Sequence, residues 1–202
     1  MRGTEFSSIK NGADALIEDM IATLGFDIFY ISSSVFLLAF FIIAYYQKKN
    51  YDSFTIYKSY LSIMLFESFF YALLLFLLLG NMSIYLMDIS VDDIKFNIIL
   101  SLGAGMYEEL IFRVFSIFIL YSFISFLFKS MRHFSIQFFA LLFSSVLFSL
   151  FHFMGTESFS QEAFTIRFIA GALLGILYIN RGFGITAITH SFYDIFVIFQ
   201  LT

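Results

Sequence analysis

Apolar residues in this chain run in long blocks separated by short polar loops, and the blocks have the length of membrane-crossing helices. Ile28 to Tyr46 is free of charge and close to the roughly twenty residues that cross a bilayer. Leu61 to Gly80 is a second block, interrupted by one acid, Glu67. Ile94 to Phe128 is too long for one crossing and too short for two, at about 1.5 Å of rise per helical residue. The Gly103-Ala104-Gly105 cluster offers a break there. It predicts a short re-entrant or interfacial helix, followed by a crossing from about Ala104 to Phe128. Phe134–Phe153, Phe164–Asn180 and Ile185–Leu201 complete the series. The pattern predicts an all-α, polytopic transmembrane helix bundle of about six crossings plus the short helix.

Ahead of the blocks, residues 1–27 are mixed, with Ile17, Met20, Ile21 and Leu24 at helical spacing. They predict an amphipathic helix lying along the membrane surface. No basic stretch precedes the first apolar block and no small-residue cleavage site follows it, which argues against a cleaved signal peptide. Residues 28–202 carry no linker and no internal repeat, and are expected to form a single bundle with the catalytic core in 100–200. Gly171 and Gly175, in a G-x-x-x-G arrangement, are read as packing residues. Arg181 and Gly182 predict a tight turn.

Composition sharpens this picture. The chain is 60% hydrophobic and 13% charged, with mean hydropathy +0.91, whereas a soluble domain is about half apolar and a quarter charged. Without cysteine there is no disulfide, thiol nucleophile or Cys-ligated zinc. Without proline, any helix irregularity must come from glycine or polar residues. The 32 phenylalanines suit a lipid-facing surface. The net charge of −4 and the lack of a basic tract argue against nucleic acid. Lys48, Lys49 and Lys58, then Lys129 and Arg132, then Arg181 alternate with acidic loops, so the positive-inside rule puts both termini outside. In that arrangement Glu108 and His152 lie toward outer helix ends and His190 toward an inner one, a mismatch of roughly 10 Å in depth.

Three apolar segments carry ionisable residues, which are costly at membrane depth and by default mark a functional site. In Tyr107-Glu-Glu-Leu-Ile-Phe-Arg113, Glu109 and Arg113 share a helix face as an i, i+4 ion pair. Glu108 points about 100° away and is expected to stay free, as a general base must. His190 and Asp194 are also i, i+4, so both can line one cavity, with Asp194 orienting the imidazole or donating a hydrogen bond as a neutral acid. His152 ends its block beside Gly155-Thr156, where water can enter. A carboxylate and an imidazole around one water form a general-base pair for hydrolysis. A second imidazole and a carboxyl group can hold the oxygen on which charge develops. Taken singly, each segment has a plainer explanation: a structural ion pair, an interfacial histidine, a packing hydrogen bond. Taken together, one shared site is the simpler account. Glu67 is expected to be protonated and facing the bundle or near a helix end, and His133, beside Arg132, solvated. Neither H-E-x-x-H nor G-x-S-x-G occurs, and the neighbours of Ser191, Phe192 and Tyr193, do not fit a membrane serine nucleophile.

The order E-E-x-x-x-R, F-x-x-x-H, H-x-x-x-(N/D), each on its own apolar segment, resembles the CAAX protease and bacteriocin-processing (CPBP, or Abi) family of glutamic intramembrane proteases, over residues 100–200. The resemblance implies that Glu108 and His152 activate a water, that His190 and Asp194 form the oxyanion-binding side, and that Glu109 with Arg113 braces the helix. Asp194 stands where many members carry Asn, and it must be protonated to donate. The implied protein is an intramembrane endopeptidase without a cofactor. Its partners would be the lipid bilayer and a membrane-associated polypeptide substrate, and its place a bacterial inner membrane, with CAAX processing the less expected substrate class. The alternatives are a zinc-dependent peptidase with the metal at Glu108, His152, His190 and Asp194, and a non-catalytic binding or immunity protein. A proton-relay transporter is a further alternative, against which the lack of a repeat argues.

Overall fold

The structure, a computed structural model, describes residues 57–83, 94–154 and 158–201, together with Phe41, Tyr45 and Lys49. The predicted surface helix in residues 1–27 lies outside the described residues, as does nearly all of the predicted crossing Ile28–Tyr46. Among the described residues every regular element is helical, and their order is α1 (Lys58–Ser83), α2 (Ile94–Glu109), a π-helical segment (Leu110–Ser116), α3 (Ile117–Leu127), α4 (His133–Phe151), a 3-10 turn (His152–Met154), α5 (Gln161–Arg181) and α6 (Phe183–Leu201). Among the described residues four stretches are long and apolar enough to cross a membrane: Lys58–Leu79, Ser101–Leu127, His133–Met154 and Gln161–Arg181. Phe183–Phe199 is a shorter apolar helix. Many phenylalanines on these helices, among them Phe66, Phe118, Phe126 and Phe134, are exposed, which is the surface that lipid requires.

The chain divides into two compact units, residues 1–61 with 152–157, and residues 62–151 with 158–202. All packing described below belongs to the second unit.

The expected break at Gly103-Ala104-Gly105 does not occur. The helix runs unbroken from Ile94 through the glycines to Leu127, and its one irregularity is the π-helical segment that follows Glu109. Glycine lowers helix propensity by only about 1 kcal/mol per residue, whereas a lipid-embedded backbone has no water to take over its hydrogen bonds. The glycine is used for contact instead. A Cβ on Gly105 would stand 2.5 Å from Ser191 Oγ and 2.8 Å from the Ser191 backbone nitrogen, so α2 and α6 approach closely only because that atom is missing. Ser191 Oγ in turn contacts the carbonyls of Ala187 at 3.0 Å and Leu102 at 3.4 Å, which makes it a packing pin.

Small residues do the same work between α4 and α5, as the G-x-x-x-G spacing predicts. Cβ atoms on Gly171 and Gly175 would meet Phe148 at 3.0 Å and Leu141 at 3.1 Å, and Ser149 donates a 2.7 Å hydrogen bond to the Phe164 carbonyl. Ala72, Leu75, Leu79, Leu174, Tyr193 and Val197 join α1, α5 and α6 in one apolar cluster, and Ile117, Ile124, Ile136 and Ala140 join α3 to α4 in another. Ser160 caps α5, accepting from the Ala163 N–H, with Glu162 favourably placed in the first turn. Gly182, at φ 81°, ends the helix in a conformation few other residues adopt, giving the expected tight turn.

That turn does not sit at the end of α1. Ser68 donates to the Ile185 carbonyl at 3.2 Å and its own carbonyl accepts from Thr189 at 3.4 Å. Arg181 forms a two-pronged ion pair with Glu67, both contacts at 2.6 Å. Glu67 is thus paired with a guanidinium, which corrects its reading as a protonated acid. Glu67 stands roughly 14 Å along α1 from its first residue, so α6 begins well inside the length of α1.

Candidate active site

Five of the six residues singled out in the sequence belong to the second unit, and three of them, Glu108, Glu109 and Asp194, face the imidazole of a fourth, His190. His190 Nδ1 lies 2.9 Å from Glu109 Oε1. His190 Nε2 lies 3.7 Å from Asp194 Oδ1 and 3.9 Å from Glu108 Oε2. Glu109 Oε2 lies 3.0 Å from Arg113 Nε, although the N–H is not aimed along that line, so the contact is an ion pair and not a hydrogen bond. Glu108, Glu109, Arg113 and His190 are all buried, and Asp194 is partly exposed.

The local sequence accounts for each position. Glu108 and Glu109 are the last residues of α2, one helical turn beyond Gly105, so the glycine contact with Ser191 sets them against the adjacent His190. Asp194 follows His190 by four residues on α6 and shares its face. Arg113 lies within the π-helical segment, immersed in apolar surroundings, with its guanidinium carbon 4.9 Å from the centre of the Phe148 ring. Its Nη1 and Nη2 make no hydrogen bond among the described residues. Phe148 also meets Phe112 edge to face at 5.4 Å and His190 at 6.0 Å.

The expected depth mismatch between Glu108 and His190 disappears because the helix ends move. Glu108 lies roughly 21 Å into a helix that starts at Ile94, not near an end. The expectation that Glu108 is left free is overturned as well. Glu108 is buried and faces the same imidazole nitrogen as Asp194, while Glu109 is shared between Arg113 and His190.

His152 is buried in the 3-10 turn after α4 and belongs to the first unit. His133 is exposed, as expected, and takes a 2.6 Å hydrogen bond with the Tyr121 hydroxyl. Among the described residues no group of three or more His, Cys, Asp or Glu side chains is placed to hold a metal ion.

The arrangement has a clear chemical direction. With Glu109 as acceptor, Nδ1 carries its hydrogen and the ring is fixed in orientation. Nε2 is then presented to two carboxyl groups, both beyond direct hydrogen-bond reach and both close enough for one bridging water. A carboxylate and an imidazole sharing a water can perform general-base hydrolysis.

Sequence reasoning missed four contributors: Phe148, Ser144, Gly105 and the π-helical segment. Phe148 stands in the F-x-x-x-H motif, where its spacing to His152 drew attention away from the ring itself. Ser144, whose hydroxyl donates to the Phe112 carbonyl, lies four residues before Phe148 and carries no signal of its own.

Residues 90–196 match the family described as Type II CAAX prenyl endopeptidase Rce1-like. Comparisons with curated proteins and with solved structures give no match. The matched stretch takes in all three motifs and more than half of the chain, and the chain belongs to the Rce1-like type II CAAX prenyl endopeptidase family.

Proposed function

We propose that the protein is a glutamic-type intramembrane endopeptidase that hydrolyses a peptide bond of a membrane-associated polypeptide with a Glu-activated water. The observation that carries this reading is the placement of one imidazole nitrogen, His190 Nε2, between Glu108 at 3.9 Å and Asp194 at 3.7 Å while Glu109 anchors the other nitrogen. Glu108 acts as the general base. His190, as an imidazolium whose Nδ1–H donates to Glu109 and whose Nε2–H donates to the oxyanion, stabilises that charge together with Asp194 as a neutral acid. Glu109 and Arg113 act as positioning residues that hold the imidazole. His152 joins the water-activating pair on the family resemblance alone.

The reaction needs no metal in this reading. Six crossings, with residues 28–202 as one bundle in a bacterial inner membrane, complete the proposal. Membrane-embedded peptides are the expected substrates, with prenylated CAAX proteins the less expected class.

The test is to purify wild type and Glu108→Ala in detergent and expose both to a peptide library read by mass spectrometry. Cleavage by wild type and His133→Ala, lost in Glu108→Ala, supports the peptidase. Equal cleavage by wild type and Glu108→Ala discards the mechanism, and an inert wild type favours a binding or immunity role.

A further inference from the structure

We infer that Ser144 is a positioning residue: it holds the π-helical register of Leu110–Ser116, and through that register the contact of Glu109 with His190. π-Helical turns are rare and occur mostly as short insertions within α-helices, frequently at functional sites. Here seven consecutive residues adopt one immediately after the glutamate pair.

The segment joins two helical stretches that face different partners. Upstream, Gly105 and Glu109 face Ser191 and His190 on α6. Downstream, Ile117 and Ile124 face Ile136 and Ala140 on α4. A π turn closes its hydrogen bonds one residue later than an α turn. Relaxation of the segment to α-helix would therefore rotate one stretch against the other by about one residue, or roughly 100°. Both contact faces could not then be kept.

What holds the wider turn comes from a single face of α4. Ser144 and Phe148 are four residues apart. The buried Ser144 hydroxyl donates to the main-chain carbonyl of Phe112, within the π segment. Phe148 takes the Phe112 ring and the Arg113 guanidinium, and its edge meets His190. Apart from its ion pair with Glu109, Arg113 makes no hydrogen bond through Nη1 or Nη2 among the described residues. The guanidinium, and with it Glu109, thus follows the register of the backbone that Ser144 pins. Ser145 and Ser149, equally buried on the same helix, bond to Leu141 and Phe164, outside the π segment.

The consequence for catalysis rests on the peptidase reading, but the test does not. Wild-type protein labelled with 15N-histidine is examined by NMR in detergent, with the His190 ring signals assigned by their loss in His190→Gln. Ser144→Ala is expected to shift the His190 Nδ1 signal away from that of a ring held by Glu109. Ser144→Cys, which keeps the shape of the side chain with a slightly larger, weakly donating thiol, is expected to give a smaller shift, and it alone decides the matter if Ser144→Ala does not fold. Ser149→Ala, which removes a comparable interhelical bond, is expected to leave the signal in place. An unshifted His190 signal in the Ser144 variants overturns the inference, and so does an equal shift in Ser149→Ala.

Discussion

Glu109 holds two groups at once: its Oε1 is 2.9 Å from His190 Nδ1 and its Oε2 is 3.0 Å from Arg113 Nε. Both links are buried, so the carboxylate balances a guanidinium on its own helix while orienting an imidazole on another. Removing Glu109 alone takes from the buried Arg113 charge its ion-pair partner. Breaking a buried pair in this way costs about 3–5 kcal/mol, whereas replacing both partners with apolar residues is often nearly neutral. Glu109→Leu is therefore expected to destabilise the protein by that amount, and Glu109→Leu with Arg113→Met by much less. A double-mutant cycle of unfolding in detergent measures the difference.

The close approach of α2 to α6 makes a second prediction, with an internal control. Gly105→Ala forces its new methyl against the backbone of Ser191, while an added Cβ at Gly103 meets nothing within 4 Å. Gly105→Ala is expected to cost about 1–3 kcal/mol, as overpacking does. Gly103→Ala is expected to be neutral or stabilising by about 0.5–1 kcal/mol, as glycine-to-alanine changes inside helices are. Thermal unfolding of the two variants side by side checks both signs.

Phe148 touches Arg113, Phe112 and His190 with one ring. Phe148→Leu keeps an apolar side chain but loses the π face, and with it a cation–π contact of about 0.5–2 kcal/mol and edge-to-face contacts of about 0.5–1.5 kcal/mol each. A lowered unfolding midpoint together with reduced peptide cleavage is the expected outcome. Cleavage assays and thermal scans on the same preparation report the two effects.

Metal removal separates the two versions of the peptidase. His190 Nδ1 is engaged by Glu109, and no group of three ligating side chains is assembled among the described residues. Dialysis against a strong chelator is therefore expected to leave cleavage unchanged. Loss of activity on chelation, recovered on adding zinc, would establish the zinc-dependent alternative.

The segments most legible in the sequence were those with strong periodic or chemical signals. Apolar blocks marked α1 and α3 to α6, and i, i+4 spacing paired Glu109 with Arg113 and His190 with Asp194. The glycine cluster at 103–105 misled because a helix interior tolerates glycine when its missing Cβ admits a neighbouring backbone, and a single sequence does not reveal that neighbour. The π-helical segment was invisible because Leu110–Ser116 has an ordinary helical composition, and its register is set from α4 by Ser144 and Phe148. Glu108 looks free from its own helix alone, where Arg113 faces Glu109. Its facing partner, His190, comes from a helix more than eighty residues away along the chain.

The most direct test of the central claim is the turnover of Glu108→Gln on a peptide that the wild type cleaves. The substitution keeps the shape of the side chain but removes the base, and general-base contributions are worth about 10²- to 10⁴-fold. The account predicts a kcat lowered by at least about 100-fold, with the unfolding midpoint close to that of wild type. A Glu108→Gln protein that folds and turns over at the wild-type rate would contradict it.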